Sequence, residues 1–432
     1  VKGALFVYIL TYGGALVALF NPFVGLLIYT AFSILRPEAL WSYGVASGGN
    51  YSRIIAIAFL VGWVLNGFGR WDFRSARPTV VAIMAYGAVL VLGLFTAENQ
   101  PIAEKFVESQ FKIILAFVVG ITLIDSVAKL KALTWVVGLS ESYLGYRFNV
   151  YYLQGEILKP QDFTFASFDN NGIAIVAATA AGLMFFLGIG ETVQWRRWGA
   201  FLAATLLAHI PMFLMSRGGM LALVVVGVVS FLILPKRPGH YFIFAIGVAV
   251  ALRLAGPAVW ERFSSSFEEN LDPSAQSRTQ LWAAGWQVML DSPLTGLGPD
   301  HWRLHAHKYG FSVGKAMHST WMSTGTELGF PGLAALLSFY GITMWRLLGL
   351  VRRRDLNPAL QNTARMVLAS LAGFVVSASF VSVEGVDLPY CVVLIGAGTL
   401  KLSHLARVAS IDSAERRLPR TLHPGWRLGE SS

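Results

Sequence analysis

An all-α, polytopic membrane fold is what this sequence predicts, and three observations predict it. Of the 432 residues, 55% are hydrophobic and 13% charged, about half the charged share of an ordinary soluble domain. The mean hydropathy is +0.57. Apolar runs recur along the chain, several reaching the roughly 20 residues of helix that a bilayer requires. They are continuous rather than alternating, which argues against a membrane barrel.

The runs fall near residues 4–34, 53–67, 78–95, 108–124, 131–146, 170–188, 198–214, 218–234, 240–256, 318–345, 364–382 and 388–402. The first is interrupted by Asn21-Pro22, which disfavours a single straight helix. Two short crossings there put the N-terminus outside; one crossing with a bent end puts it inside, which Lys2 favours. The expectation is about 12 spans. The run lacks a small-residue cleavage site and reads as an anchor rather than a removed signal peptide. The division expected is 1–255 for the first set of about 10 spans, 256–317 for a large external loop, 318–403 for the last spans. Residues 404–432 make a basic cytoplasmic tail, expected to be poorly ordered.

Charge orients these elements. The net charge is +10, and its Lys and Arg residues recur in alternate connections. Arg70, Arg74 and Arg77 stand in one, Lys129 and Lys131 in the next, then Arg196 and Arg197, Lys236 and Arg237, and Arg352 to Arg354. The positive-inside rule places these connections and the C-terminus in the cytoplasm. No recognition motif accompanies the charge, so nucleic acid is not the expected partner. The external side then holds the segments near 97–107, 147–169 and 256–317. Within the last, Leu281, Trp282, Ala284, Trp286 and Met289 recur at helical spacing, and "TGLGPD" is a turn that ends the helix. The one cysteine, Cys391, lies in an apolar run, so no disulfide forms within the chain.

Ionisable residues at the external ends of spans are the functional candidates, because burying them in a bilayer is costly. They are Lys112, Arg147, Arg217, Arg253, His318 and Glu327. Arg217 sits in Ser216-Arg217-Gly218-Gly219, where two apolar runs meet. It reads either as an interfacial arginine snorkelling to headgroups or as an anion site, since its planar fork suits phosphate. Arg278 lies on the external helix that must fold over the same face. His318 opens a span in "HSTWMSTGTELGFPG", where a neutral imidazole can take a proton from a hydroxyl. Glu327, nine residues on, falls on the opposite helix face at about 100° per residue, roughly 13 Å along the axis. It reads as a structural acceptor for a donor on another helix. His301 and His305 have a spacing seen in metal sites, without the further ligands to complete one. Asp169-Asn170-Asn171 reads as a helix cap. The sequence contains no GxxxxGK[ST], G-x-S-x-G or HExxH motif.

Together these residues resemble the O-antigen ligase superfamily, the Wzy-type polymerase and ligase group that includes bacterial protein O-oligosaccharyltransferases. The resemblance rests on the Ser-Arg-Gly-Gly turn, on Arg278–Trp282, Gly296–Gly298 and His318–Met322 in that order, and on "ELGFPG" after them. Ser319 follows the histidine where many relatives carry Asn. The stretch "NPFVGLLIYTAFSILRPEALWSYG" is similar to a subgroup of O-glycosylation ligases linked to exosortase-type exopolysaccharide loci.

The resemblance implies glycan transfer from undecaprenyl diphosphate to an acceptor hydroxyl on a lipid, a glycan or a protein. It implies a multi-pass protein of the bacterial inner membrane, with its site facing the periplasm. No cofactor and no metal are implied, and the anomeric centre inverts. Carried over, Arg217 and Arg278 bind the donor diphosphate and His318 stands at the acceptor hydroxyl, as base or orienter. Lys112 and Arg147 are secondary contacts to phosphate or sugar. Three readings compete with a ligase: a polymerase of the same superfamily, a transporter or flippase of a lipid-linked glycan, and a non-catalytic envelope subunit. A transporter predicts polar residues near the midplane of several spans. A catalytic site predicts that Arg217, Arg278 and His318 surround one cavity under the 256–317 loop.

Overall fold

The computed structural model describes residues 2–46, 48–156, 169–254, 273–353 and 355–417. Among the described residues the fold is helical, without strands. Parts of the expected external segments (157–168 and 255–272) and the end of the basic tail (418–432) lie outside the described residues.

The first run is not one bent helix. Helix α1 (Lys2–Tyr8) passes through a π turn into α2 (Gly14–Phe20), and the chain stops at Asn21. Pro22 then starts α3 (Pro22–Leu35), whose first turn is capped by the Asn21 side chain. Gly25 lies against Ala18, and Gly14 against the end of Ile28. These pairings make α2 and α3 an antiparallel hairpin. It forms because Pro22 cannot continue α2, while small residues at the contact let the helices approach closely.

After the short α4 (Pro37–Leu40) come α5 (Tyr51–Leu65), α6 (Arg77–Leu94), α7 (Gln100–Leu123) and α8 (Val127–Leu153). The central bundle adds α9 (Asn170–Gly190), α10 (Gln194–Phe213), α11 (Arg217–Ile233) and α12 (Pro238–Leu254). The last part holds α13 (Pro273–Asp291), the short α14 (Trp302–His305), α15 (Thr320–Val351), α16 (Pro358–Ser377) and α17 (Asp387–Arg417). Side-chain caps start many of these helices: Asn99 for α7, Ser126 for α8, Asp169 for α9 and Asn357 for α16. Among the described residues, six helices are long and apolar enough to cross a membrane. Helix α9 is the innermost of these, 78% buried, and packs against α10, α11 and α16.

Side-chain contacts sort the connections into two ends. At one, Lys401 donates to the carbonyls of Ile121 (2.6 Å) and Arg70 (3.2 Å), Lys131 pairs with Glu191 (2.9 Å), and Arg346 donates to Ser75 (3.1 Å). This is the basic end. Lys401, 2% exposed, is an intrahelical cation that charge patterning did not flag; it caps carbonyls at the C-terminus of α7. At the other end gather the 95–99 turn, α13, α14 and the segment 378–386. The expected tail after Ser403 begins instead as helix, since α17 runs on to Arg417.

The span opening at residue 318 is broken. Gly329 has φ 66° and ψ −170°, and Pro331 begins a second helical piece. A left-handed φ is cheap only for glycine. Here it frees the backbone to meet the 293–298 turn: Phe330 N–H donates to Pro293 (2.9 Å), Leu297 N–H to Thr326 (2.9 Å) and Gly298 N–H to Glu327 (3.0 Å).

Candidate functional site

His318 lies just before α15 and is half-buried. Its backbone is left-handed, φ 53°, a conformation that L-residues adopt rarely. Both flanks explain how it persists. On one side, Met317 is 1% exposed, and its carbonyl accepts a hydrogen bond from Trp282 Nε1 at 3.2 Å. On the other, Ser319 caps α15 through Met322 N–H (3.3 Å). Thr320 N–H reaches the carbonyls of Ala378 (2.8 Å) and Val381 (3.0 Å). Thr320 Oγ1 donates to Val381 O (2.9 Å) and accepts from Val383 N–H (3.0 Å). The imidazole is thus presented by a backbone fixed at both ends.

Arg278 stands on α13, one helical turn before Trp282. Burial, and then the Arg278 charge, push the His318 pKa below its usual 6.5; Asp169 opposes them. Desolvation and a nearby cation both disfavour imidazolium, so His318 is neutral at pH 7 and has a nitrogen able to accept a proton. Asp169 also caps α9 through Gly172 N–H (2.8 Å). Its proximity to His318 was not legible in the sequence, where the cap alone could be read.

Arg217 begins α11, half-buried. Ser216 caps the helix through Gly219 N–H (3.2 Å) and donates to Asn171 Oδ1 at 2.8 Å. A Cβ on Gly219 would stand 2.6 Å from the Ala174 Cβ, so glycine is what lets α11 press against α9. A Cβ on Gly218 would lie 3.9 Å from Phe380 and Val381. Phe380 in turn stacks near Trp282, with ring centroids 6.0 Å apart. The segment 378–383 therefore touches the Arg217 turn, the Arg278 helix and the His318 junction. No motif marked this segment, whose contacts are all long-range.

The three candidates thus sit on elements that meet around residues 378–383. The expected cavity beneath the 256–317 loop is bounded in part by residues 255–272, outside the described ones. Lys112 and Arg147 stand on other helices. Lys112 pairs with Glu108 at 2.6 Å on an exposed face of α7. Arg147 donates to Tyr151 OH (3.2 Å), its guanidinium 5.5 Å from that ring centre. Neither is joined to His318 in the described contacts.

Glu327 is a buried acceptor, as expected, but its donor is the backbone N–H of Asp300 at 3.1 Å in the turn before α14, not another helix. His301 is fully buried. Its Nε2 accepts from Asn99 N–H (2.8 Å), which leaves Nδ1 as the donor to Pro299 O (2.8 Å). Both nitrogens are used in fastening the loop, and His305 pairs with Glu98 (3.0 Å). Among the described residues there is no group of three metal-ligating side chains.

Residues 202–337 match the family model described as O-antigen ligase. This segment, under half of the chain, is similar to the O-antigen ligase superfamily. No curated protein matches the chain at a significant level. The O-antigen ligase segment starts within α10 and ends within α15, so it contains Arg217, Arg278 and His318 and excludes Lys112 and Arg147.

Proposed function

We propose that this membrane protein transfers a glycan from undecaprenyl diphosphate to a hydroxyl of a lipid, glycan or protein acceptor, on the periplasmic face of the bacterial inner membrane. The observation that carries the reading is His318: neutral through burial and Arg278, and pinned at a helix junction between α13 and the 378–383 segment. The acceptor oxygen attacks the anomeric carbon while its proton passes to His318. The bond from that carbon to the diphosphate oxygen breaks, with inversion, and polyprenyl diphosphate departs. Arg217 and Arg278 stabilise the charge that develops on it. Diphosphate is already a good leaving group, so positioned cations and a base suffice, the base contributing about 10²–10⁴-fold. A polymerase uses the same steps with the end of a growing glycan as acceptor. The N-terminal resemblance supports an exopolysaccharide setting.

Purified protein supplied with undecaprenyl-diphosphate glycan and candidate acceptors tests this. Transfer that survives chelation and is lost in Arg217→Ala and His318→Ala is expected. Unchanged transfer in both variants sinks the reading.

A further inference from the structure

A cleft lies between α3, α8, α9, α10 and the start of α17. It is not part of the site above. Ile173, Val176 and Ala177 of α9 face the cleft, whereas Ala174 and Ile175 of the same helix face the Gly218-Gly219 turn. Helix α9 is the wall between them.

Most of the lining is apolar, with Phe148, Ile173 and Ile210 on three helices. Among the described residues, three charged groups stand on it: Arg36, Glu141 and Asp387. Arg36 acts electrostatically on Asp387. Glu141 is the remainder. It is 4% exposed, faces the cleft, and has no hydrogen-bond or ion-pair partner among the described residues. A buried carboxyl without a donor is costly, and in a bilayer protein it marks a ligand or a functional site.

We propose that this cleft binds a lipid carrying a primary ammonium headgroup, with the ammonium on Glu141. Three N–H donors on one small cation match the carboxyl acceptors, and the apolar walls take the adjoining hydrocarbon. Arg36 and Asp387 directly follow α3 and begin α17, at the end of the bundle that carries the His318 junction. That is where lipid headgroups meet a spanning protein. The assignment rests on Glu141 and is independent of the transferase reading.

Thermal unfolding of the full chain in a neutral maltoside detergent tests it, with phosphatidylethanolamine, phosphatidylcholine and phosphatidylglycerol added separately. Phosphatidylethanolamine is expected to raise Tm by several degrees, saturating near one lipid per chain. The quaternary and anionic lipids are expected to do less. Glu141→Gln is expected to weaken the effect at least about tenfold, the loss of one charge-assisted bond. Native mass spectrometry of the wild type supplies a second reading: ethanolamine lipid is retained in preference to choline lipid. Equal shifts with all three lipids, equal retention, or an unaltered response in Glu141→Gln overturns the proposal. Equal protection by free ethanolamine overturns the assignment to a lipid.

Discussion

Glu327 accepts a hydrogen bond from the backbone N–H of Asp300 at 3.1 Å, inside the helix that His318 introduces. The bond ties the turn before α14 to α15 just before its break at Gly329. Only an acceptor is needed from Glu327 there. Glu327→Gln is therefore expected to cost under about 1 kcal/mol, and Glu327→Ala about 1–3 kcal/mol, because the Asp300 N–H loses its partner. Chemical unfolding in detergent measures both; equal costs contradict the role.

The left-handed backbone at His318 separates its chemistry from its structural part. His318→Gly removes the imidazole where glycine fits the φ of 53°. Stability is expected to stay within about 1 kcal/mol of the wild type, while transfer falls about 10²–10⁴-fold. Added imidazole is expected to restore part of the rate. A large fall in stability with no rescue marks His318 as only structural.

The depressed pKa of His318 fixes a pH dependence. Neutral imidazole is the active form, so kcat/KM is expected to fall as pH drops through a value below 6.5. Arg278→Gln removes a charge that disfavours imidazolium and is expected to move the inflection upward. Asp169→Asn removes a charge that favours it and moves the inflection downward. A pH profile with no inflection, or shifts of opposite sign, contradicts His318 as the base.

Ser216 caps α11 and bonds Asn171 across to α9. Ser216→Ala is expected to cost about 0.5–2 kcal/mol and to lower transfer further, because Arg217 begins the helix so capped. Asn171→Ala keeps the cap and is expected to show a smaller loss in both measurements. Equal effects on stability with unchanged transfer separate this turn from the site.

The sequence by itself determined the helical membrane character, the cap at Asp169 and the order of the candidate residues. These depend on local composition, on hydrophobic runs and on short motifs, all legible along one dimension. Tertiary structure decided the rest. Asn21-Pro22 could bend a helix or start a hairpin, and the close packing of Ala18 on Gly25 selects the hairpin. Glu327 could find a donor on any neighbour, and the Gly329 break brings it the turn before α14. Residues 378–383 carry no motif, yet they join the Arg217 turn, Trp282 and Thr320, because backbone carbonyls act through position and not through side-chain identity. Glu141 became notable for the same reason: a buried acid is unpartnered only with respect to helices brought against it by the fold.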